Sequence, residues 1–365
     1  MLKKYPILKW TLLVFTTLIL VLFAFGWWFM SLIPPADTDV TASKISDLPY
    51  LSEDILPFRG KVLAVVTSAN TMGASGKATG YELTELARAY YVFQANGFEV
   101  DVASPMGGMP TVIIDDEDMG AYDHAFLNDP VAQHKANNTI PMDSVIAEEY
   151  EAVFFAGGKG AMFDFPKNKH IQSLVQKLYQ ADKVIGAVCH GPAALVNVML
   201  TNGRPLLENK EVSGFTNEEE LLLISDAKTI FPFLLQDKLS AQGASFNKGA
   251  MYLEQVSHDE NLVTGQNPWS TWKMAETMVS QMGYTPKPRK ITAEENAVRV
   301  LNEYETHGSQ KAKELMAHMY NVEKNPIARI LIAKHSVMAV MKGEPGRFFA
   351  LVGLTAYAKK IATEH

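Results

Sequence analysis

Residues 183–192 read K-V-I-G-A-V-C-H-G-P, and this stretch decides the fold. The run Val184–Val188 is apolar throughout and has the length of a strand, which is typical of a parallel strand covered on both faces. It leads straight into Cys189-His190-Gly191, and the following A-A-L-V-N-V-M-L predicts a helix over 193–200. Strand, tight turn and helix are the parts of a nucleophile elbow, which lifts a reactive side chain above the carboxyl edge of a sheet.

Cys189 is the only cysteine among 365 residues, so no internal disulfide supports the fold. A lone cysteine is most often a small buried apolar side chain. The elbow changes that interpretation, because a helix amino terminus would place free N–H groups and partial positive charge beside the sulfur. Both favour the thiolate. We therefore expect a reactive Cys189 with a lowered pKa.

Strand and helix patterns alternate on both sides of the elbow. Leu83, Leu86, Tyr90 and Phe93 share one helical face, and a second helix is expected at 171–179. The expected strands lie at 61–68, 98–104, 152–156, 183–188 and 261–265, and the last leads to a helix ending near Gly283. This order predicts an α/β fold with a flavodoxin-like parallel sheet, helices on both faces and ligands at the carboxyl ends of the strands.

The amino terminus has the pattern of a transmembrane helix. Residues 10–33 carry no charge, and at about 1.5 Å per residue they exceed the roughly 30 Å hydrocarbon layer. Lysines precede the segment (Lys3, Lys4 and Lys9) and acids follow it (Asp37 and Asp39). This bias predicts a single-pass anchor with a cytoplasmic amino terminus and an extracytoplasmic main domain, periplasmic if the source is bacterial. A cleaved signal peptide is the alternative, although its apolar core should be shorter.

Composition divides the chain into four parts. We expect a membrane anchor at 1–35, a polar stalk at 36–58, an α/β domain at 59–284 and a helical extension at 285–365. A polar, acidic segment at 109–149 interrupts the α/β pattern and predicts an inserted cap or loop. The extension opens on a capping box, T-A-E-E, at 292–295. Its helices could pack on the α/β domain, pair with a second copy in a homodimer, or lie on the membrane surface.

Charge and motif content exclude several kinds of partner. The net charge of -7 and the pI near 5.8 argue against nucleic acid, which requires a basic surface. No phosphate-binding glycine motif follows a strand, so we predict no nucleotide cofactor. His124, His134 and His170 show no paired ligand spacing, so we predict no metal.

Several motifs together resemble one family. V-C-H-G-P at 188–192 occurs with four others, in order: T-G-Y-E-L-T-E-L at 79–86, G-G-K-G at 157–160, G-R-P-L-L-E at 203–208 and S-G-F-T-N-E-E-E at 213–220. The chain resembles the ThiJ/PfpI superfamily over residues 59–283, and within it the branch of glyoxalase III enzymes and heat-shock chaperone homologues. The resemblance implies a class I glutamine amidotransferase-like fold.

The resemblance also implies roles for individual residues. Cys189 would be the nucleophile, and His190 would exchange protons with it and stabilise the thiolate as imidazolium. Glu220 would orient His190, with Glu219 as the alternative if the register differs by one residue. A solvated helix start is a third interpretation of the E-E-E run.

A second group of residues would surround the sulfur. Glu85 matches the family glutamate that hydrogen-bonds the sulfur and acts as general acid and base, and partial burial would raise its pKa. Gly157, Gly158 and the N–H of His190 would form an oxyanion hole. Lys159 stands where the family often has histidine, so a side-chain contribution from that position is in doubt.

The implied activity is that of a cofactor-free glyoxalase III-type lyase, which converts methylglyoxal or a similar small carbonyl compound to a 2-hydroxy acid. A cysteine amidase, peptidase or glutamine amidotransferase-like hydrolase uses the same elbow, and a holdase-type stress chaperone shares the same fold. Because fold alone does not decide among these, all three stay open here. Methylglyoxal also arises mainly inside cells, whereas the lysine bias places the α/β domain outside.

Overall fold

The computed structural model describes residues 6–34, 38–115 and 119–363. The strands are β1 (Lys61–Val65), β2 (Tyr81–Glu82), β3 (Glu99–Ser104), β4 (Val112–Ile113), β5 (Ile140–Pro141), β6 (Ala152–Phe155), β7 (Val184–Val188), β8 (Glu211–Val212), β9 (Ser245–Phe246), β10 (Val256–Asp259) and β11 (Leu262–Gly265). The α-helices are α1 (Pro6–Met30), α2 (Pro49–Ser52), α3 (Leu83–Ala95), α4 (Ala121–Asn128), α5 (Pro130–Asn137), α6 (Ala161–Asp164), α7 (Lys169–Gln180), α8 (Asn217–Leu223), α9 (Ala227–Ile230), α10 (Leu235–Ala241), α11 (Thr271–Gln281), α12 (Ala293–His307), α13 (Ser309–His318), α14 (Arg329–Met341) and α15 (Pro345–Thr363).

The main sheet has seven strands in the order β10-β11-β7-β6-β1-β3-β5. Its neighbours are parallel except for the antiparallel pair β10 and β11. The five predicted strands are β1, β3, β6, β7 and β11, which confirms the α/β class and the mostly parallel sheet. Every residue of β6, β7 and β11 is buried, which is why their sequences are apolar without alternation.

Helices α3 and α11 pack against each other, and α7 packs on β6 and β7. Gly186 in β7 allows α11 to come close, because a Cβ at that position would lie 2.2 Å from the Met278 sulfur. Because β1, β6 and β7 are neighbouring parallel strands, their carboxyl ends lie at one edge of the sheet, where the loops after Val65, Phe155 and Val188 meet.

The helix predicted at 193–200 is wrong. A single 3₁₀ turn, Gly191–Leu195, follows the elbow, and Asn197 then takes a left-handed conformation with φ of +64°. Pro192 lacks a backbone donor, and residues 193–196 are all fully buried instead of forming one apolar stripe. Packing on every side replaces the amphipathic helix that the apolar run suggested.

Of the polar stalk predicted at 36–58, residues 38–52 instead pack on the α/β domain, whereas most of residues 53–58 are exposed. Two 3₁₀ turns, Thr38–Ala42 and Ile45–Asp47, lead into α2. Leu48 and Tyr50 are buried, and the Asn128 side chain donates hydrogen bonds to the Thr41 and Ser43 carbonyls. Leu48 belongs to the main core, the partly buried Ile45 and Leu51 pack against that core, and burial of these apolar side chains holds the segment in place.

The interrupting segment at 109–149 returns to the sheet and forms no separate cap, within the residues described there. Its helix α4 packs on α3, and β5 adds to the sheet edge beside β3. Near its start, β4 pairs with β2 at Tyr81–Glu82, just before α3. The segment therefore supports α3 and its amino terminus.

Contacts divide the chain into two compact units, Asp37–Lys290 and a unit that joins Met1–Ala36 to Ile291–His365. In the second of these, Thr292 and Glu295 form the predicted capping box of α12. Residues Trp10–Met30 of α1 are long and apolar enough to cross a bilayer, and none of the apolar window is buried. Lys3, Lys4 and Asp37 lie outside the described residues, so the orientation stays a prediction from sequence.

Candidate active site

The turn after β7 holds Cys189 in a left-handed conformation with φ of +59°. A non-glycine residue in this region costs about 1–3 kcal/mol and persists only where its surroundings impose it. Here the Cys189 N–H donates to the Gly265 carbonyl at 3.0 Å, and the Cys189 carbonyl accepts from the Phe215 N–H at 2.8 Å. Gly191 completes the turn, because a Cβ there would lie 2.2 Å from the Phe155 carbonyl oxygen. The strand, the turn and the strain together form a nucleophile elbow.

Cys189, His190 and Glu220 form a continuous buried relay. Cys189 Sγ lies 3.3 Å from His190 Nδ1, and His190 Nε2 lies 2.6 Å from Glu220 Oε2. A carboxylate only accepts hydrogen bonds, so Nε2 carries the proton and Nδ1 presents its lone pair to the thiol. The rings of Phe215 and Phe231 cover the imidazole at centroid distances of 4.6 and 6.2 Å. This arrangement equips His190 to take the thiol proton.

The structure brings Glu220, and not Glu219, to the histidine. Glu219 accepts from the Thr216 hydroxyl and N–H through Oε2, and Oε1 accepts from the Tyr252 N–H and the Gln266 and Asn267 side chains. It therefore caps α8 and ties that helix to the 250–267 segment. Both glutamates are buried, at 0% and 4% exposure, which rules out the solvated helix start.

Glu85 lies in the first turn of α3 and is fully buried. Its Oε2 accepts a 2.6 Å hydrogen bond from the Gly157 N–H. Burial and, to a smaller extent, the neighbouring Glu82 carboxylate together raise the Glu85 pKa to about 8, against the opposing effect of a hydrogen bond with Cys189. The direction is the one predicted from sequence, and the value puts this carboxyl group in a range where it can both release and accept protons near neutrality.

The lowered pKa predicted for Cys189 is wrong. Burial raises the pKa of the thiol well above its ordinary value, and the Glu85 carboxyl raises it further through charge and a hydrogen bond. The charge of Lys159 opposes this rise. The predicted helix, whose dipole would have favoured the thiolate, is only a five-residue 3₁₀ turn. Cys189 therefore rests as a thiol, with His190 Nδ1 as its hydrogen-bond partner.

The backbone N–H groups of Gly158 and His190 have no acceptor among the described residues. Gly158 has φ of +95°, and a Cβ there would lie 2.4 Å from the Gly80 carbonyl oxygen, so only glycine fits. The oxyanion-hole role predicted for Gly157 is not supported, because its N–H already donates to Glu85. Gly157 instead permits that contact, since a Cβ would lie 2.7 Å from Glu85 Oε2.

Two supporting features escaped the sequence analysis. Asp164 in α6 accepts hydrogen bonds from the Thr67 hydroxyl and the Ser68 and Ala69 N–H groups, which fixes the loop after β1. Phe231 reaches the histidine from a distant loop, and no local pattern marks either residue. Among the described residues no group of three potential metal ligands comes together, and His124, His134 and His170 take no part in the relay.

A mostly parallel α/β sheet with a strained cysteine elbow and a buried Cys-His-Glu relay defines a class of cysteine-dependent proteins. The model of the DJ-1/PfpI family matches residues 77–281, more than half of the chain. The chain belongs to this family, as the ThiJ/PfpI resemblance predicted.

Named relatives share the α/β domain. A probable glutathione-independent glyoxalase, HSP32, from Saccharomyces cerevisiae is 34% identical over 217 residues, which cover 54% of this chain and 86% of the relative. Glyoxalase 3 from Candida albicans is 29% identical over 237 residues, covering 60% and 97%. Because almost the whole length of the Candida relative matches 60% of this chain, the remainder of this chain is additional to it.

Two solved structures are also similar to this chain. The Rapid Encystment Protein 24 KDa of Francisella tularensis has a TM-score of 0.58 at 36% identity, covering 61% of this chain and 99% of that one. Glyoxalase III from Candida albicans has a TM-score of 0.56 at 26% identity, covering 61% and 97%.

Proposed function

We propose that the unit Asp37–Lys290 is a glutathione-independent glyoxalase that converts methylglyoxal or a related 2-oxoaldehyde to a 2-hydroxy acid. One observation carries the proposal: the same buried sulfur lies against a histidine relay and interacts electrostatically with a separate carboxyl group, that of Glu85, whose pKa is near 8. A simple hydrolase needs the relay, whereas moving a proton between two carbons needs an additional acid and base. The named glyoxalases among the relatives support the same choice.

The first step forms a carbon–sulfur bond. The Cys189 thiol passes its proton to His190 Nδ1 as the sulfur attacks the aldehyde carbon, and Glu220 stabilises the imidazolium. The carbonyl π pair moves to oxygen, where the N–H groups of Gly158 and His190 donate hydrogen bonds to the developing charge. Proton return from His190 gives a neutral hemithioacetal.

The second step moves hydrogen between carbons. The Glu85 carboxylate removes the proton from the former aldehyde carbon, and the electron pair moves onto the ketone to give an enediolate. Glu85 then returns that proton to the adjacent carbon, and the hydroxyl proton moves from the oxygen of the former aldehyde carbon to the oxygen of the former ketone, which leaves a 2-hydroxy thioester on Cys189. Water cleaves the thioester and releases the hydroxy acid, D-lactate from methylglyoxal, with the thiol restored. No external oxidant, reductant or cofactor is required.

The test is release of D-lactate from methylglyoxal without glutathione. We expect Cys189→Ala and Glu85→Gln each to abolish release, while Glu53→Gln, at an exposed residue far from the relay in sequence, retains it. Lactate formation by either site variant at the rate of the unchanged protein would disprove the assignment. Ammonia release from glutamine by the unchanged protein, with no lactate, would favour the amidase alternative instead.

We also propose that α1 is a retained single-pass membrane anchor with a cytoplasmic amino terminus and the α/β unit on the other side. Supporting this, Trp10–Met30 is apolar along its whole length yet buries none of the apolar window, so water is an unsuitable surrounding for it. Retention is supported by contacts of α1 with the C-terminal helices, which a cleaved signal sequence would lose. A mature protein that lacks residues 1–35 by mass spectrometry would exclude the anchor, and a reporter fused to the carboxyl terminus tests the orientation.

A further inference from the structure

The C-terminal helices present an exposed apolar end, which we call the hairpin tip and define as residues 337–349. Its exposed side chains are Val337, Val340 and Met341 at the end of α14 and Phe349 at the start of α15, with exposures between 50% and 64%. The first three fall at spacings of three and one, so they share one side of the last turn of α14. Exposed apolar side chains grouped in this way mark an interaction surface more often than chance.

Two contacts fix the level of this tip along α1. The Phe348 ring lies 6.1 Å from the Phe25 ring, and the Lys359 ammonium donates a 2.6 Å hydrogen bond to the Ser31 carbonyl. The first contact joins residue 348 to residue 25 and the second joins residue 359 to residue 31. The order along both segments is the same, so α15 and α1 run in the same direction. Phe25 precedes Met30, the last residue of the apolar span, by five residues, which is about 7.5 Å along a helix. The start of α15 therefore lies beside the last turns of the apolar span.

The contacting face of α1 supports this placement. Phe25 and Phe29 are partly buried and Leu32 is 3% exposed, whereas Trp27 is 74% exposed. Positions 25, 29 and 32 follow helical spacing, so one face of the last turns of α1 packs in this unit while the rest remains uncovered. The uncovered surface of α1 and the hairpin tip are thus parts of one continuous apolar region.

We infer that the hairpin tip inserts into the head-group and outer acyl region of the same bilayer that α1 crosses, and this inference rests on the proposed anchor. The partner of the tip is lipid, because the tip adjoins the uncovered apolar surface of α1, which lies in the bilayer in the proposed arrangement. The charges of the tip fit a shallow position: Glu344 pairs with Lys342 and Arg347, both at 3.2 Å, and Arg347 also pairs with Glu305. Paired charges and long basic side chains are tolerated at the interface, where their ends reach the head groups.

The consequence is a two-point attachment. A single helix lets the attached unit rotate about the membrane normal, whereas a second inserted point holds α12–α15 at one tilt against the surface. The sequence left open whether the C-terminal helices lie on the membrane surface. The proposal places only one end of the α14–α15 pair there.

The test uses the full chain in vesicles of three parts phosphatidylcholine to one part phosphatidylglycerol. With Cys189→Ala removing the native thiol, one cysteine is introduced at a time and labelled with a polarity-sensitive fluorophore. The sites are Phe349→Cys at the tip, Leu20→Cys at the middle of the span, and Val322→Cys. Val322 is the matched control, because it is apolar and 66% exposed in the same unit but precedes α14, at the end opposite the tip.

Quenching by lipids that carry a spin label at a shallow or a deep acyl carbon gives the depth. We expect the label at 349 to be quenched by the shallow lipid, the label at 20 by the deep lipid, and the label at 322 by neither. Quenching at 20 without quenching at 349 overturns the tip while the anchor stands. Absence of quenching at both overturns the anchor and the tip together. Excimer formation between two pyrene labels at 349, without lipid quenching, assigns the tip to a second copy and also overturns the proposal.

Discussion

Replacing Glu85 with glutamine should make the protein more stable while abolishing its proposed activity. In the unfolded chain Glu85 ionises near its ordinary value of 4.5, whereas burial in the folded protein raises its pKa to about 8. Between these pH values the folded state holds a proton that the unfolded state has lost. Raising the pH therefore disfavours folding, and this loss of stability is complete once the pH exceeds the folded pKa.

The size of the effect follows from the same pKa values. Each unit of difference corresponds to about 1.4 kcal/mol, so the cost of Glu85 is roughly 1 kcal/mol at pH 5 and roughly 4 kcal/mol at pH 8. Glutamine never ionises, and its carbonyl oxygen can still accept the hydrogen bond from the Gly157 N–H. The variant should gain most of this difference, about 2–4 kcal/mol between pH 5 and pH 8.

Urea denaturation of both proteins at pH 5, 6, 7 and 8 measures the gain. The free-energy advantage of Glu85→Gln should widen steadily with pH, and Glu53→Gln, at an exposed carboxyl, should show no such trend. An advantage that is absent, or constant across this range, would refute the argument that burial keeps Glu85 protonated.

Three further predictions concern the relay and two glutamates near it, Glu85 and Glu219. The kcat/KM of lactate formation should rise with pH through about 8, because the carboxylate of Glu85 is the active form, and Glu82→Gln should shift this rise to lower pH because the Glu82 charge raises the Glu85 pKa. Glu220→Gln should lower kcat by about 10²–10⁴-fold with little change in fold by circular dichroism, since the imidazolium form of His190 loses the negative charge that faces Nε2. Glu219→Gln should instead destabilise the protein by about 1–3 kcal/mol in urea, because three amide donors then meet an amide in place of a carboxylate; a Glu219→Gln loss of kcat equal to that of Glu220→Gln, without loss of stability, would reverse the two roles.

The sequence predicted much of the sheet because strands that are buried on both faces consist of consecutive apolar residues. An apolar run such as Val184–Val188 needs no distant information to be read as a covered parallel strand, and the small residues around Cys189 mark the turn directly. The same holds for α1, whose uncharged length is a property of consecutive residues.

Local pattern failed where neighbours distant in sequence decide the outcome. Residues 193–196 look like one side of a helix, yet they are surrounded by core and form a 3₁₀ turn. The 38–52 segment looks like a stalk because it is polar, yet Leu48 and Tyr50 find a surface formed by residues far along the chain.

The site divides in the same way. The sequence alone determined the identity of the nucleophile candidate and the tight turn that presents it, because these depend on residue type and adjacent spacing. The short list of nearby acids came from the resemblance of their motifs to the family. Only the tertiary structure decided that Glu220 faces His190 while Glu219 caps a helix. It also decided that the Gly157 N–H donates a hydrogen bond to Glu85. It also reversed the expected shift of the Cys189 pKa. Burial and the direction of a hydrogen bond depend on elements brought together from across the chain, and these quantities set the charge of each group.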